Sequence, residues 1–183
     1  FAYRKLVIAN NPLSVELINH PLELTNGGID TKALVTAGKM QADGDDLRVY
    51  DNGVEIDRWL VGMNTEATKI WVALNYRPRI ALTLDDSIPS SGNVGTITVK
   101  KTTANATALS TLKKTAPMGT VVIGTGASRE CFSYGAVDVK NYKLIECVRS
   151  VLGTSPLAHN SGAQIEWLEH ELWLYYGNAL IES

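Results

Sequence analysis

The sequence predicts an all-β fold, an antiparallel β-sandwich carrying one short early helix. Three observations predict it. Apolar residues alternate with polar ones over many short runs, the period-two signature of strands with one buried face. Gly, Asn, Asp and Pro punctuate those runs at turn positions. A clear three- and four-residue apolar spacing occurs early, over residues 29–41.

Taken in order, RKLVIAN is expected to place Leu6 and Ile8 on one side of a strand and Lys5 and Val7 on the other. PLELTNGG keeps Leu22 and Leu24 in phase and ends on a Gly27-Gly28 turn. IDTKALVTAGKMQ is the helical segment. Asp30 or Thr31 caps it, and Ala33, Leu34, Ala37 and Met40 form its apolar stripe. Gly38 weakens it and Gly44 is expected to stop it.

DLRVYD resumes alternation with Leu47 and Val49 together, and Asp51-Asn52-Gly53 signals a tight hairpin into EIDRWLV. KIWVALNY is the strongest strand, with Ile70, Val72 and Leu74 on one face. Arg77-Pro78-Arg79 breaks it. IALTL and GTITVKKT follow as strands, joined by the loop SIPSSGNVG.

TTANATALSTLKKT stays ambiguous: Leu109, Leu112 and Lys113 fit a short helix, while its β-branched threonines fit a strand. TVVIGTG reads as a buried strand. AVDVKNYKLIECVRSVL is open between a helix through Leu144, Val148, Val151 and Leu152 and two short strands. GTSPLAHNSG is loop. The second half of QIEWLEHELWLYYG is a strand, with Trp173 and Tyr175 alternating against Leu172, Leu174 and Tyr176.

The 183 residues are enough for one domain, 1–183, with a proper core. At 45% hydrophobic and 20% charged, the composition is that of a globular chain. A formal charge of −2, from 17 basic and 19 acidic residues, gives no electrostatic footprint for nucleic acid or an anionic membrane surface. No apolar run approaches the roughly 20 residues of a membrane-spanning helix. No signal-peptide pattern is present, and a start at Phe1 fits a processed form as well. Cys131 and Cys147 lack metal-ligand spacing and are read as buried thiols, with one disulfide as the alternative.

QADGDDLRVYDNGVEIDRW, KIWVALN and LWLYYGNA together resemble the family called domain of unknown function 2341. The shared features are Tyr3-Arg4-Lys5 in the opening strand, the Gly44-Asp45-Asp46 turn, the strand ending in Asp and Gly, Trp71-Val72, and Tyr175 to Asn178. The resemblance covers residues 1–76 and 171–180. It implies a concanavalin-type jelly roll, found in secreted and cell-surface bacterial and archaeal proteins and in phage virion proteins. It carries over no catalytic residues. In the family a short connector joins the last two motifs, whereas here roughly residues 79–168 intervene. An elaboration that long must carry strands of its own or form a subdomain.

Candidate sites are weighed on chemistry. DGDDLRVYDNG departs from a calcium-binding EF-hand loop after its second ligand. A looser calcium site at Asp43 and Asp45 is the cofactor alternative; otherwise no cofactor is expected. The preferred reading of these aspartates is turn and strand-entry hydrogen bonding. Glu166, Glu169 and Glu171 near Trp167 and Trp173 have the look of a glycosidase pair, because Glu169 and Glu171 would share a strand face. His20 and His159 read as turn and loop residues, and His170 alternates with glutamates. GTGAS and SGNVG read as turns, lacking a phosphate-loop lysine. Among the aromatics, Trp71 and Tyr176 are assigned to the core. Trp167, Trp173 and Tyr134 are the candidate ligand-facing rings, since a ring face stacks on the C–H face of a pyranose.

The expected function is therefore non-enzymatic: a phage virion component such as a tail tip, fibre or capsid decoration. It would act in the virion or at a cell surface, as homo-oligomeric copies touching other virion or surface subunits or a glycan. It would bind no nucleic acid and insert into no membrane. A secreted carbohydrate-binding module, a self-assembling extracellular filament subunit and a glycoside hydrolase are the alternatives.

Overall fold

The computed structural model describes residues 3–9, 11, 13, 15–25 and 27–177. Phe1 and Asn178, both used in the sequence reading, lie outside them. The fold is all-β, built of antiparallel sheets in sandwich layers. The chain divides into two compact units, Phe1–Pro78 with His170–Ser183, and Arg79–Glu169.

The first unit begins with β1 (Tyr3–Ala9), β2 (Leu17–Glu23), the helix α1 (Thr31–Thr36), β3 (Arg48–Asp51), β4 (Val54–Ile56), β5 (Arg58–Val61) and β6 (Lys69–Tyr76). The second holds β7 (Ala81–Thr83), β8 (Thr96–Thr98), the helix α2 (Thr103–Thr115), β9 (Gly119–Ile123), β10 (Glu130–Tyr134), β11 (Ala136–Asp138), β12 (Lys143–Ile145), β13 (Val148–Arg149) and β14 (Gln164–Trp167). The chain then re-enters the first unit as β15 (His170–Tyr176).

In the first unit one sheet runs β1-β15-β3-β4 and the other β2-β6-β5. Val49, Leu172 and Leu174 from the first pack with Ile70, Val72, Leu74 and Tyr76 from the second in one buried cluster. Alternation along β6 is the cause: every second residue from Ile70 to Tyr76 is buried. Trp71, assigned to the core from its sequence, belongs to the opposite set. It pairs with Trp59 of β5, which is 44% exposed, so both lie on the outer face of their sheet. Tyr176 does pack against the core. The expected hairpin forms between β3 and β4, with Asn52 and Gly53 both at positive φ.

α1 is shorter than its apolar spacing predicts. Asp30 caps it, accepting from the Ala33 N–H at 2.8 Å. It ends at Gly38 rather than Gly44. Gly38 has φ +65°, its N–H reaches the Val35 carbonyl, and the Lys39 N–H reaches the Leu34 carbonyl. That pair of bonds is a Schellman stop, which favours glycine at the left-handed position. Ala33 and Ala37 are consequently exposed, while Met40 reaches the core from beyond the helix.

The second unit has a five-stranded sheet, β13-β10-β9-β14-β7, and a three-stranded one, β11-β12-β8. Val121, Ile123, Phe132, Ile165, Ile97 and Leu144 from these sheets share a core with Leu109 and Leu112 of α2. The ambiguous Thr-rich segment is thus helical. Ser110 and Thr111 turn their hydroxyls back onto the carbonyls of Ala106 and Thr107. Lys113 and Lys114 sit in the last turn, where the helix dipole favours cations. Thr102 accepts from the Asn105 N–H as N-cap. Thr102→Ala is expected to lower the stability of this unit by about 1 kcal/mol in urea unfolding. Residues 136–149, open between helix and strands, form β11, β12 and β13.

Candidate functional site

Strand alternation decides what lines the outside of the four-stranded sheet. β15 buries Leu172 and Leu174, so Trp173 and Tyr175 point away from the core. Register does the rest. Arg4 of β1 and Arg48 of β3 lie on either side of Tyr175, and Leu6 and Tyr50 on either side of Trp173. Glu55 of β4 stands opposite Tyr50. Two cross-strand rows result, Arg4–Tyr175–Arg48 and Leu6–Trp173–Tyr50–Glu55.

The rings form a continuous strip. Tyr50 meets Tyr175 edge to face, with centroids 5.1 Å apart and planes at 77°. Trp173 and Tyr175 lie 6.4 Å apart. Planar polar groups frame the strip. The Trp173 indole donates to Glu171 at 2.6 Å, and the Arg48 guanidinium lies 3.0 Å from Glu55. The Tyr50 hydroxyl donates to Glu55 at 3.4 Å. Partial burial, then the neighbouring Glu55 charge, push the Tyr50 phenol above its ordinary pKa. The Arg4 guanidinium carbon lies 4.9 Å from the centroid of the Trp173 ring. Such a face offers ring surfaces together with fixed hydrogen-bond donors and acceptors.

Of the three rings singled out from sequence, Trp173 lies on this face. Trp167 is partly buried against the core of the second unit. Tyr134 is interior, 2% exposed, with its hydroxyl donating to the Ala116 carbonyl at 2.8 Å. Its strand pattern turns it inward, so it has no ring face to present to a ligand. Its phenol pKa is driven up by burial.

The aspartates do structural work. Asp43 accepts from the Asp45 N–H at 3.1 Å, closing a local turn. Asp46 is 5% exposed and accepts from the Gln41 N–H at 3.0 Å and the Gly177 N–H at 3.1 Å. The two sequence motifs Gly-Asp-Asp and Tyr-Tyr-Gly are therefore in direct contact. Among the described residues no group of three or more His, Cys, Asp or Glu side chains gathers to hold a metal. The supposed glycosidase carboxylates have the following places. Glu166 pairs with Arg79, Glu171 takes the Trp173 indole, and Glu169 falls in the break between β14 and β15.

Two of the three histidines are buried. His170 is 8% exposed, with Nδ1 2.7 Å from the Asp51 carboxylate and Nε2 2.9 Å from the Asn75 carbonyl. Facing a carbonyl, Nε2 carries a proton and donates. His159, read as a loop residue, lies 3.2 Å from a carboxylate with no solvent exposure, that of Glu130. Arg149 donates to both oxygens of Glu130 at 2.9 Å, Ser150 donates at 2.9 Å, and so does the Leu157 N–H. Burial would raise the Glu130 pKa, but these donors outweigh it and hold it down to about 2. Arg149 also donates to the carbonyls of Pro89 and Gly92, so the network ties the 87–95 loop to the sheet. Its role is fastening.

Cys131 and Cys147 are both buried and not joined in a disulfide, and burial pushes the Cys147 thiol up to about 11. No protein-family model matches the chain, and no curated protein matches it either.

Sequence reasoning placed Tyr175 on the same strand face as Trp173 but missed Arg4 and Tyr50 as their neighbours. Each lies on an alternating strand, so its outward direction was legible. The register that joins them was not.

Proposed function

We propose that this protein is a non-enzymatic recognition module of a particle surface, a phage virion component that works through the outer faces of its sheets. The observation that carries the reading is the outward row of Tyr50, Trp173 and Tyr175, rings held on rigid strands and framed by Arg4, Arg48, Glu55 and Glu171. Large rings with polar edges on a stiff scaffold contribute contact area at low entropic cost. The resemblance of the Gly-Asp-Asp and Tyr-Tyr-Gly segments to surface and virion proteins supports placing the module on a particle. Antiparallel layers with edge strands such as β1 and β4 are compatible with packing of repeated copies.

Mass spectrometry of purified particles from the producing host tests this. The expected result is the chain in many copies per particle. Particles that lack it would remove the virion reading.

A further inference from the structure

We propose that His170 is held as the doubly protonated imidazolium and acts as a proton-operated clasp between the two sheets of the first unit. The inference stands apart from the function proposed above and rests on the direction of two hydrogen bonds.

Alternation along β15 turns His170 inward together with Leu172 and Leu174. Its Nδ1 lies 2.7 Å from Oδ2 of Asp51 on β3, a strand of its own sheet. Its Nε2 lies 2.9 Å from the Asn75 carbonyl oxygen on β6, a strand of the facing sheet. Both partners are acceptors. A carbonyl oxygen carries no proton, so Nε2 donates; an ionised carboxylate carries none either, so Nδ1 donates too. A neutral imidazole has a single N–H and serves only one of them. Moving the shared proton to the carboxyl runs against basicity, because imidazole holds a proton over a carboxylate by about two to three pH units.

The surroundings favour the charged ring. Asp51 Oδ1 is buried and accepts no hydrogen bond among the described residues, so the imidazolium at Oδ2 balances a carboxylate that is otherwise poorly served. On β6 the Tyr76 ring stands at 80° to His170, with centroids 4.8 Å apart, and His20 of β2 lies 6.3 Å beyond it. Along the chain the neighbours are Glu169 and Glu171, the latter engaged by the Trp173 indole. Opposite on β1 is Ala9, which brings no charge. Loss of the proton leaves either the Asn75 carbonyl or the Asp51 carboxylate facing a lone pair. The folded state thus binds this proton more tightly than the unfolded chain. Its contribution is full below the ordinary imidazole pKa of about 6.5 and fades as pH rises through the higher folded value.

Nitrogen-15 NMR of the imidazole rings in the full chain, from about pH 5.5 to 9, tests this. At pH 7 both His170 nitrogens are expected to resonate as protonated, with the ring titrating above about 6.5. Asp51→Asn removes the countercharge and should move that titration about one pH unit or more lower. In urea unfolding, the stability gap between the parent and His170→Gln should be widest below about pH 6.5 and narrow as pH rises. Glutamine does not titrate, so a merely structural role for the ring gives a gap independent of pH. That result would overturn the clasp. So would a His170 ring carrying one proton at pH 7, or a titration unmoved by Asp51→Asn. Where His170→Gln does not fold, the parent's spectra decide alone.

Discussion

Replacing Glu130 with glutamine is expected to cost the Arg79–Glu169 unit roughly 3–5 kcal/mol, because it leaves a guanidinium in the interior without its countercharge. The Arg149 side chain is 9% exposed and Glu130 not at all. Glutamine keeps the volume, so the loss reports charge and donor matching rather than a cavity. Hydrogen exchange at β9 and β10 is the local readout, with urea unfolding for the magnitude. A loss below about 1 kcal/mol would show that the network is dispensable.

The same carboxylate makes a pH prediction. Its folded pKa, about 2, lies below the ordinary value of 4.5. A depressed carboxylate contributes stability that is fully present above the unfolded pKa and is lost as pH falls through the folded one. The gap between parent and Glu130→Gln should therefore be constant above about pH 5 and shrink progressively as pH falls from 4.5 towards 2.

Asp46→Ala is expected to destabilise the first unit by roughly 3 kcal/mol, through two backbone donors left without their acceptor. The aspartate satisfies the N–H groups of Gln41 and Gly177, which lie far apart in sequence and next to each other in space. Gly177 cannot easily shift to find another acceptor. It sits at φ +76°, and a Cβ there would meet the Lys39 carbonyl oxygen at 2.8 Å. Asp46→Asn retains one acceptor oxygen and should lose less. Thermal unfolding with exchange at Gly177 separates the two variants; an unchanged midpoint in Asp46→Ala would refute the role.

Much of the fold was readable because alternation is a local signal. The strand at Lys69–Tyr76, the hairpin at Asn52-Gly53 and the inward Leu47 and Val49 all follow from neighbours in sequence. Local reasoning failed where two local signals competed. Threonines in α2 oppose a helix until their hydroxyls fold back on carbonyls and Leu109 and Leu112 find a core. Trp71 was assigned to the core as filling between two sheets, yet its position in the alternation puts it on the outside.

The candidate face was half legible. Trp173 was found, with Tyr175 two residues along the same strand, but Arg4 and Tyr50 join them through pairing between strands distant in sequence. Glu130 was invisible for the same reason, since Arg149, Leu157 and His159 reach it from loops whose path no periodicity encodes.

β15 is an inner strand, flanked by β1 and β3. Both flanking strands leave the ribosome early, yet β1 has no ladder partner, and β3 only its hairpin partner β4, until His170–Tyr176 emerges, after the whole Arg79–Glu169 segment. At translation speeds of about 5–20 residues per second, that delay lasts several seconds or more. During it the middle of the polypeptide has every strand it needs to complete itself, while the earlier-made part waits with unsatisfied edges. Maturation thus runs from the inside of the chain outward, and a nascent-chain binder would be most useful to the part synthesised first.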